Sequence, residues 1–262
     1  MRHGHRHAEW EFNLVTRGRG AYVIDGRRVE LALDSILWLL PSHSHVLLDR
    51  SSDFEMWVAV ARPRLIRALA ADAPFAAWRS WFKPSKPLPA MHRVMGESHT
   101  ERLVGLLERL AGPRATHGVS ATLSPEHESS GLSFLFAEAW LTYASARDLP
   151  TGSHLHPAVQ GAVEWLADHA HTPQADDLDA LADRLHVSRP HLSRLFKDQT
   201  GQTLTAFRHR RRVDRLLSLI GRGGRMNLTE AAYAAGFGSY AQAYRVVKRA
   251  TGKSPKHLVA GD

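Results

Sequence analysis

Two sets of residues in this 262-residue chain combine types and spacings that can do chemistry. The first is an internal repeat. Arg194 and Lys197 recur 51 residues later as Arg245 and Lys248, and Ser188, Thr200 and Gly201 recur as Ser239, Thr251 and Gly252. Leu192, Leu195 and Phe196 stand at i, i+3 and i+4, as do Ala243, Val246 and Val247, so each copy predicts a helix with one apolar face. The four basic side chains then point away from that face. An outward guanidinium can bond guanine in a bidentate way, and a neighbouring ammonium can meet phosphate. Ser188 and Ser239 are placed as N-caps, and Gly201 and Gly252 as helix ends with positive φ. The second set is His5-x-His7-x-x-x-Glu11, then Gly18, and further on Pro41-Ser-His43-Ser-His45. Imidazole and carboxylate together can ligate Fe, Zn, Mn or Ni. They can equally line a polar pocket, or cap and pair structurally, and His3 and His43 rival His5 and His45 in each role.

The elements that must position these residues fall into three regions. Residues 11–15, 21–25, 28–33, 36–40 and 54–61 read as strands, and Asp25-Gly26 is a tight-hairpin signal. Closely spaced strands suggest a small barrel or sandwich. Trp38 and Trp57 belong to apolar runs and read as core, whereas Trp10 can face either a pocket or the core. Residues 64–147 read as helical, from Leu103, Leu106, Leu107 and Leu110 and from Leu132, Leu135, Phe136, Ala139, Trp140 and Tyr143. The second stripe can pack inward or against another subunit. Residues 148–157 have linker composition. Beyond them the chain reads as all helix. Each repeat copy is preceded by a shorter helix and a tight turn, which gives helix, turn and capped helix twice over.

Charge follows the repeat. The chain carries a net charge of +8. Residues 157–262 hold 16 basic and 10 acidic side chains, against 18 and 16 in residues 1–156. Such a concentrated excess marks either a polyanion partner or a solvated basic surface. The run Arg208-His-Arg-Arg-Arg212 is expected partly to serve phosphates and partly to pair with acids inside the domain. Cysteine is absent, which excludes disulfides and thiolate metal sites. No apolar run approaches the roughly 18–20 residues that cross a bilayer, and the N-terminus lacks a secretory apolar stretch. A cytoplasmic location is expected. No nucleophile triad, phosphate loop or carboxylate pair stands out, so no catalytic residue is assigned.

Residues 158–262 resemble the AraC-family DNA-binding domain. The resemblance is carried by Leu-Ala-Asp-Arg-Leu-His-Val-Ser-Arg-Pro-His-Leu-Ser-Arg-Leu-Phe-Lys at 181–197 and by Thr200-Gly201 and Arg212. In the second copy it is carried by Ala231-Ala-Tyr-Ala-Ala-Gly-Phe237, Arg245-x-x-Lys248, Gly252 and Ser254-Pro255. Ala243 and Val247 stand where the family has larger side chains, and Leu258-Val259 where it has an aromatic-Arg pair. The second helix is therefore expected to be less firmly seated. The resemblance puts base reading at Arg189, Pro190, Ser193 and Arg194 and at Tyr240, Ala241, Gln242 and Arg245. Tyr244 is also within reach of the groove, and Lys197 and Lys248 fall on phosphate. The histidine set resembles the cupin pattern, and regulators of this family often join a cupin-like sensor to the DNA-binding domain.

The implied fold is an α+β multidomain chain. Its parts are a cupin-like small β-barrel at 1–62, a helical extension that can support dimerisation at 63–147, a linker at 148–157 and an all-α double helix-turn-helix domain at 158–262. The implied function is sequence-specific transcription regulation on double-stranded DNA. A small-molecule effector, or alternatively a divalent metal, would sit at His5, His7, Glu11 and His45, with no cofactor required. RNA polymerase and a second copy of the chain are the further partners expected, and a membrane is not. The rivals are a metal-dependent cupin enzyme with a helical appendage and a nonspecific architectural DNA binder.

Overall fold

A computed structural model describes residues 9–41, 43–72, 75–82, 91–111, 125–149, 152–220 and 226–260. Strands come first. They are β1 (Trp10–Arg17), β2 (Gly20–Ile24), β3 (Arg27–Leu31), β4 (Ser35–Leu39), β5 (His45–Arg50) and β6 (Glu55–Ala61). The turn between β2 and β3 has Asp25 at φ 46° and Gly26 at φ 76°. Both positive values are what a two-residue hairpin turn of matching twist demands. Later in the chain β7 (Met91–Val94) and β8 (Arg147–Asp148) complete a five-stranded sheet of order β6-β1-β4-β7-β8, which faces a three-stranded sheet of order β3-β2-β5. The strand-rich half is thus present as two sheets. Among the described residues no ladder closes them into one barrel. Nor is the sheet confined to residues 1–62: β7 lies inside the segment read as helical and pairs with β4 through Leu37↔His92 and Trp38↔Met91.

Strand alternation sorts side chains onto two faces. On β1 and β4, Trp10, Phe12, Leu14, Ile36 and Trp38 face α1 (Pro63–Leu69), α2 (Trp78–Trp81), α3 (Glu97–Ala111) and α4 (Pro125–Ser145). Trp10 sits 5.4 Å from Trp78 and 5.8 Å from Trp81, ring centre to ring centre, so it belongs to this aromatic core and not to a pocket. Leu135, Phe136, Ala139 and Tyr143 of α4 fill the same core, so that stripe packs inward. Val15, Tyr22, Ile24, Val29, Leu31, Leu37, Leu39 and Leu47 occupy the space between the two sheets.

The C-terminal half is helical: α5 (Pro157–His169), α6 (Leu178–Arg184), α7 (Arg189–Thr200), α8 (Leu204–Ile220), α9 (Leu228–Ala234), α10 (Tyr240–Thr251) and α11 (Pro255–Ala260), with a 3-10 turn at Pro173–Asp176. Two cores hold it. Val213, Leu216, Ala232, Phe237, Ala243 and Val247 cluster around α8 to α10. Val159, Val163, Leu166, Leu181, Leu192, Phe196 and Phe207 cluster around α5 to α8, and this second core also contains Ala21, Val23, Val46 and Leu48. The outer face of the three-stranded sheet therefore packs directly on the helical half. Within the segment of linker composition, Leu155 N–H donates to Gly26 O at 2.8 Å and Arg28 N–H to Ser153 O at 3.3 Å. A Cβ on Gly152 would collide with the Arg28 carbonyl. Small residues here let the connection lie flat along the β3 edge.

Candidate functional site

The repeat folds as two corners of the same plan, helix, turn and second helix. Asp177 caps α6 by accepting from Asp179 and Ala180 N–H, and Asn227 caps α9 by accepting from Thr229 and Glu230 N–H, with Glu230 completing a capping box. Each first helix leaves through a positive-φ residue, His186 at 56° and Gly236 at 91°. Val187 N–H then returns to Ala182 O at 3.1 Å, and Phe237 N–H to Ala232 O at 3.0 Å. One further residue before Ser239 makes the helix spacing 50 in the first elements and 51 in the second. The second helices end alike. Gly201 and Gly252 take φ of 76° and 73°, and Thr200 and Thr251 hydroxyls donate to Phe196 O and Val247 O. Ser239 accepts from Gln242 N–H at 3.1 Å, whereas Ser188 stands at the cap position without a side-chain cap bond. Pro190 at the second helical position has no N–H to give it, which removes one of the two usual partners.

The outward residues are placed as the repeat requires. Leu192, Phe196, Ala243 and Val247 are buried to within 1% of completely, whereas Pro190, Ser193, Arg194, Lys197, Ala241, Tyr244, Arg245 and Lys248 are exposed. Tyr240 and Gln242 are half-buried. Two of the set already have partners: Arg189 donates to Asp179 at 2.8 Å, and Gln242 Oε1 accepts from Gly238 N–H at 2.9 Å. The small Ala243 and Val247 are nonetheless fully buried, in one core with Phe237 and Leu216.

The arginine run of α8 is used internally. Arg212 Nε donates to Ala170 O at 2.6 Å and its Nη2 to Asp176 at 3.0 Å, while Arg208 Nη1 donates to Ala175 O at 2.6 Å. The Arg212 contact satisfies the carbonyl that closes α5, where a cation is favoured, and the Arg208 contact satisfies one in the 3-10 turn that follows. Arg211 is 8% exposed beside Asp214, and Arg210 pairs with Asp49 across the domain boundary. Burial pulls the pKa of Arg208 and of Arg211 below the usual value, against the opposing pull of Asp176 and Asp214 respectively.

Between the two sheets lies a polar group in an otherwise apolar space. Glu11 is 7% exposed and accepts from Asn13 Nδ2 at 2.8 Å. Tyr22 OH reaches Asn13 Oδ1 at 3.5 Å, and the Tyr22 ring meets His45 edge-on at 5.9 Å. Burial, then the charge of Glu11, pushes the Tyr22 phenol well above its ordinary pKa. Of the expected pocket residues, Glu11 and His45 are thus linked through Asn13 and Tyr22, and His5 and His7 lie outside the described residues. His43 is 1% exposed and takes Leu40 N–H on Nδ1 at 3.2 Å, a structural use. Among the described residues no three His, Asp or Glu side chains form a metal-binding group. Sequence reasoning missed Asn13, Tyr22 and His92. Asn13 was legible as the second residue after Glu11 on the same strand face. His92 shares the inner face with Leu37, is 6% exposed, and has no hydrogen-bond partner on either ring nitrogen. Burial alone drives its pKa down to about 4, so it is neutral.

A family model described as a helix-turn-helix domain matches residues 181–260, and one described as an AraC-like ligand binding domain matches residues 2–124. The uncharacterized HTH-type transcriptional regulator YfiF of Bacillus subtilis is 25% identical over 254 residues, covering 96% of this chain and 76% of YfiF. The xylose operon regulatory protein of Escherichia coli is 28% identical over 100 residues, which are 38% of this chain and 25% of that protein. Among solved structures, the C-terminal domain of AraT from Geobacillus stearothermophilus is 24% identical over 42% of this chain and 89% of that one, with a TM-score of 0.39. With both halves matched in order, the chain belongs to the AraC family of DNA-binding transcription regulators, with an N-terminal ligand-binding domain and a C-terminal helix-turn-helix domain.

Proposed function

We propose that α7 and α10 are both recognition helices and that they read sequence through opposite ends of one bound site. The observation that carries this is the twin exposure of Arg194 with Lys197 and of Arg245 with Lys248, each pair on a helix anchored from its other side by two fully buried side chains, Leu192 and Phe196 or Ala243 and Val247. Arg194 and Arg245 read guanine; Ser193, Gln242 and Tyr244 make adaptable contacts; Pro190 and Ala241 offer apolar surface to thymine methyl groups. Lys197 and Lys248 neutralise phosphate. Arg189 must leave Asp179 to reach a base, so it contributes less. Footprinting of Arg194→Ala and Arg245→Ala proteins tests the assignment: each should lose a different contact zone.

The space between the sheets is the effector pocket in this reading, with Glu11, Asn13, Tyr22 and His45 as its polar lining. Glu11 is engaged by Asn13 and Tyr22 faces His45, which favours a hydrogen-bonded pocket over a metal centre. Metal analysis of the purified protein tests that choice, since a stoichiometric metal would reverse it. The protein acts as a regulator without catalysis, in the cytoplasm where the genome is. A homodimer is supported by Phe134 and Leu141, which stand exposed on the outer side of α4. Contact with RNA polymerase completes the reading as the route from binding to transcription.

A further inference from the structure

The three-stranded sheet presents one face to the pocket and the other to the first helix-turn-helix motif. On β2, Tyr22 and Ile24 point between the sheets while Ala21 and Val23 enter the core of α5 to α8; on β5, Leu47 does the first and Val46 and Leu48 the second. Polar contacts reinforce that apolar seat. Arg28 Nη1 donates to Thr200 O at 3.0 Å, Gln202 Nε2 to Leu48 O at 2.8 Å, and Arg210 Nη1 to Arg50 O at 3.3 Å. Arg50 pairs with Asp214 at 2.7 Å, and Asp49 pairs with Arg210. All of them end on α7, on Gln202 or on α8.

Arg28 has the most specific task among these. Thr200 is the last residue of α7, and Gly201 in the left-handed region ends the helix. The Thr200 carbonyl is one of the four that a helix leaves unpaired at its C-terminus. A guanidinium there satisfies the carbonyl and complements the negative end of the helix. The Nε of Arg28 is held on Glu30 at 2.6 Å, which fixes the fork in that direction. In the second motif Thr251 occupies the same position before Gly252, yet among the described residues no arginine of the N-terminal domain reaches its carbonyl.

We propose that Arg28 is a positioning residue for the first recognition helix, so that the N-terminal sheet orients α7 and leaves α10 to its own core. The consequence for DNA rests on the reading that α7 enters the groove; the consequence for the free protein does not. Hydrogen exchange on the full-length free protein is the primary test. Arg28→Ala should speed exchange in the last turn of α7 by about 2- to 5-fold, with α10 unchanged, and Arg28→Lys should restore most of the protection because it returns the cation. On DNA, Arg28→Ala should weaken the contact zone that Arg194→Ala identifies as belonging to α7, and spare the other. Equal exchange in wild type and Arg28→Ala, or equal acceleration in α7 and α10, would overturn the proposal. If Arg194→Ala marked no zone at all, the groove reading would fail, and the exchange result would still decide the role of Arg28.

Discussion

Replacing Arg212 by Ala separates two uses of the α8 arginines. Arg212 is 2% exposed and makes two hydrogen bonds, one to the Ala170 carbonyl and one to Asp176. Charge-assisted bonds of this kind contribute about 1.5–3 kcal/mol each, and breaking a fully buried pair costs about 3–5 kcal/mol. Asp176 keeps 55% of its side chain in water, which reduces the ionic part. The expected loss is about 3 kcal/mol, which moves the urea midpoint down by roughly 1–2 M for a slope of about 2 kcal/mol per molar. Urea titration of the full chain followed by far-ultraviolet circular dichroism measures it. The salt dependence of DNA affinity should keep its slope once the protein is folded. An unchanged midpoint, with the slope reduced by about 0.9, would show that Arg212 contacts phosphate and would refute the reasoning.

Other outcomes follow from the same geometry. Arg194→Ala should weaken specific binding by about 1–3 kcal/mol and relax preference at one base position, while Lys197→Ala weakens all sequences alike. Arg245→Ala should cost less than Arg194→Ala, because α7 is seated by a core shared with the sheet and α10 by a smaller one; titrations at one salt concentration compare them. Gly236→Ala should destabilise the second motif by about 1–3 kcal/mol, since φ is 91° and a Cβ would lie 2.6 Å from His171 Cα; exchange in α9 and α10 reports it. His92 has its pKa lowered from 6.5 to about 4, so the unfolded chain binds the proton first as pH falls. Stability should therefore be intact above pH 6.5 and drop by roughly 2 kcal/mol between pH 7 and pH 5, a dependence that His92→Phe should abolish in urea titrations at both pH values.

The two corners were legible because helix periodicity, cap residues and closing glycines all agreed at one spacing. What escaped detection had weaker local signals. In β5 only Val46, Leu47 and Leu48 are apolar, and a three-residue run next to a histidine motif does not announce a strand. In β7 the sequence Met-His-Arg-Val offers a single alternation, so its place beside β4 comes from pairing and not from propensity. Apolar residues on both faces of β2 and β5 imply burial on both sides, but the identity of the second neighbour is a tertiary fact. The arginine run shows the same limit: its charge is visible in sequence, whereas the carbonyls of Ala170 and Ala175 that consume it are not. Of the pocket, Glu11 and His45 were visible as chemistry and Asn13 by its alternation with Glu11, whereas Tyr22 joined them only through the facing of the two sheets.

The central claim is two-part, sequence-specific reading of DNA by α7 and α10. Selection of bound sequences from a random duplex library, using the full-length protein and its Arg194→Ala and Arg245→Ala variants, tests it most directly. The account predicts an enriched site with two blocks of preference about 10–10.5 base pairs apart, one degraded by each variant. Binding that falls steeply with salt and enriches no sequence would contradict it and leave a nonspecific DNA binder in its place.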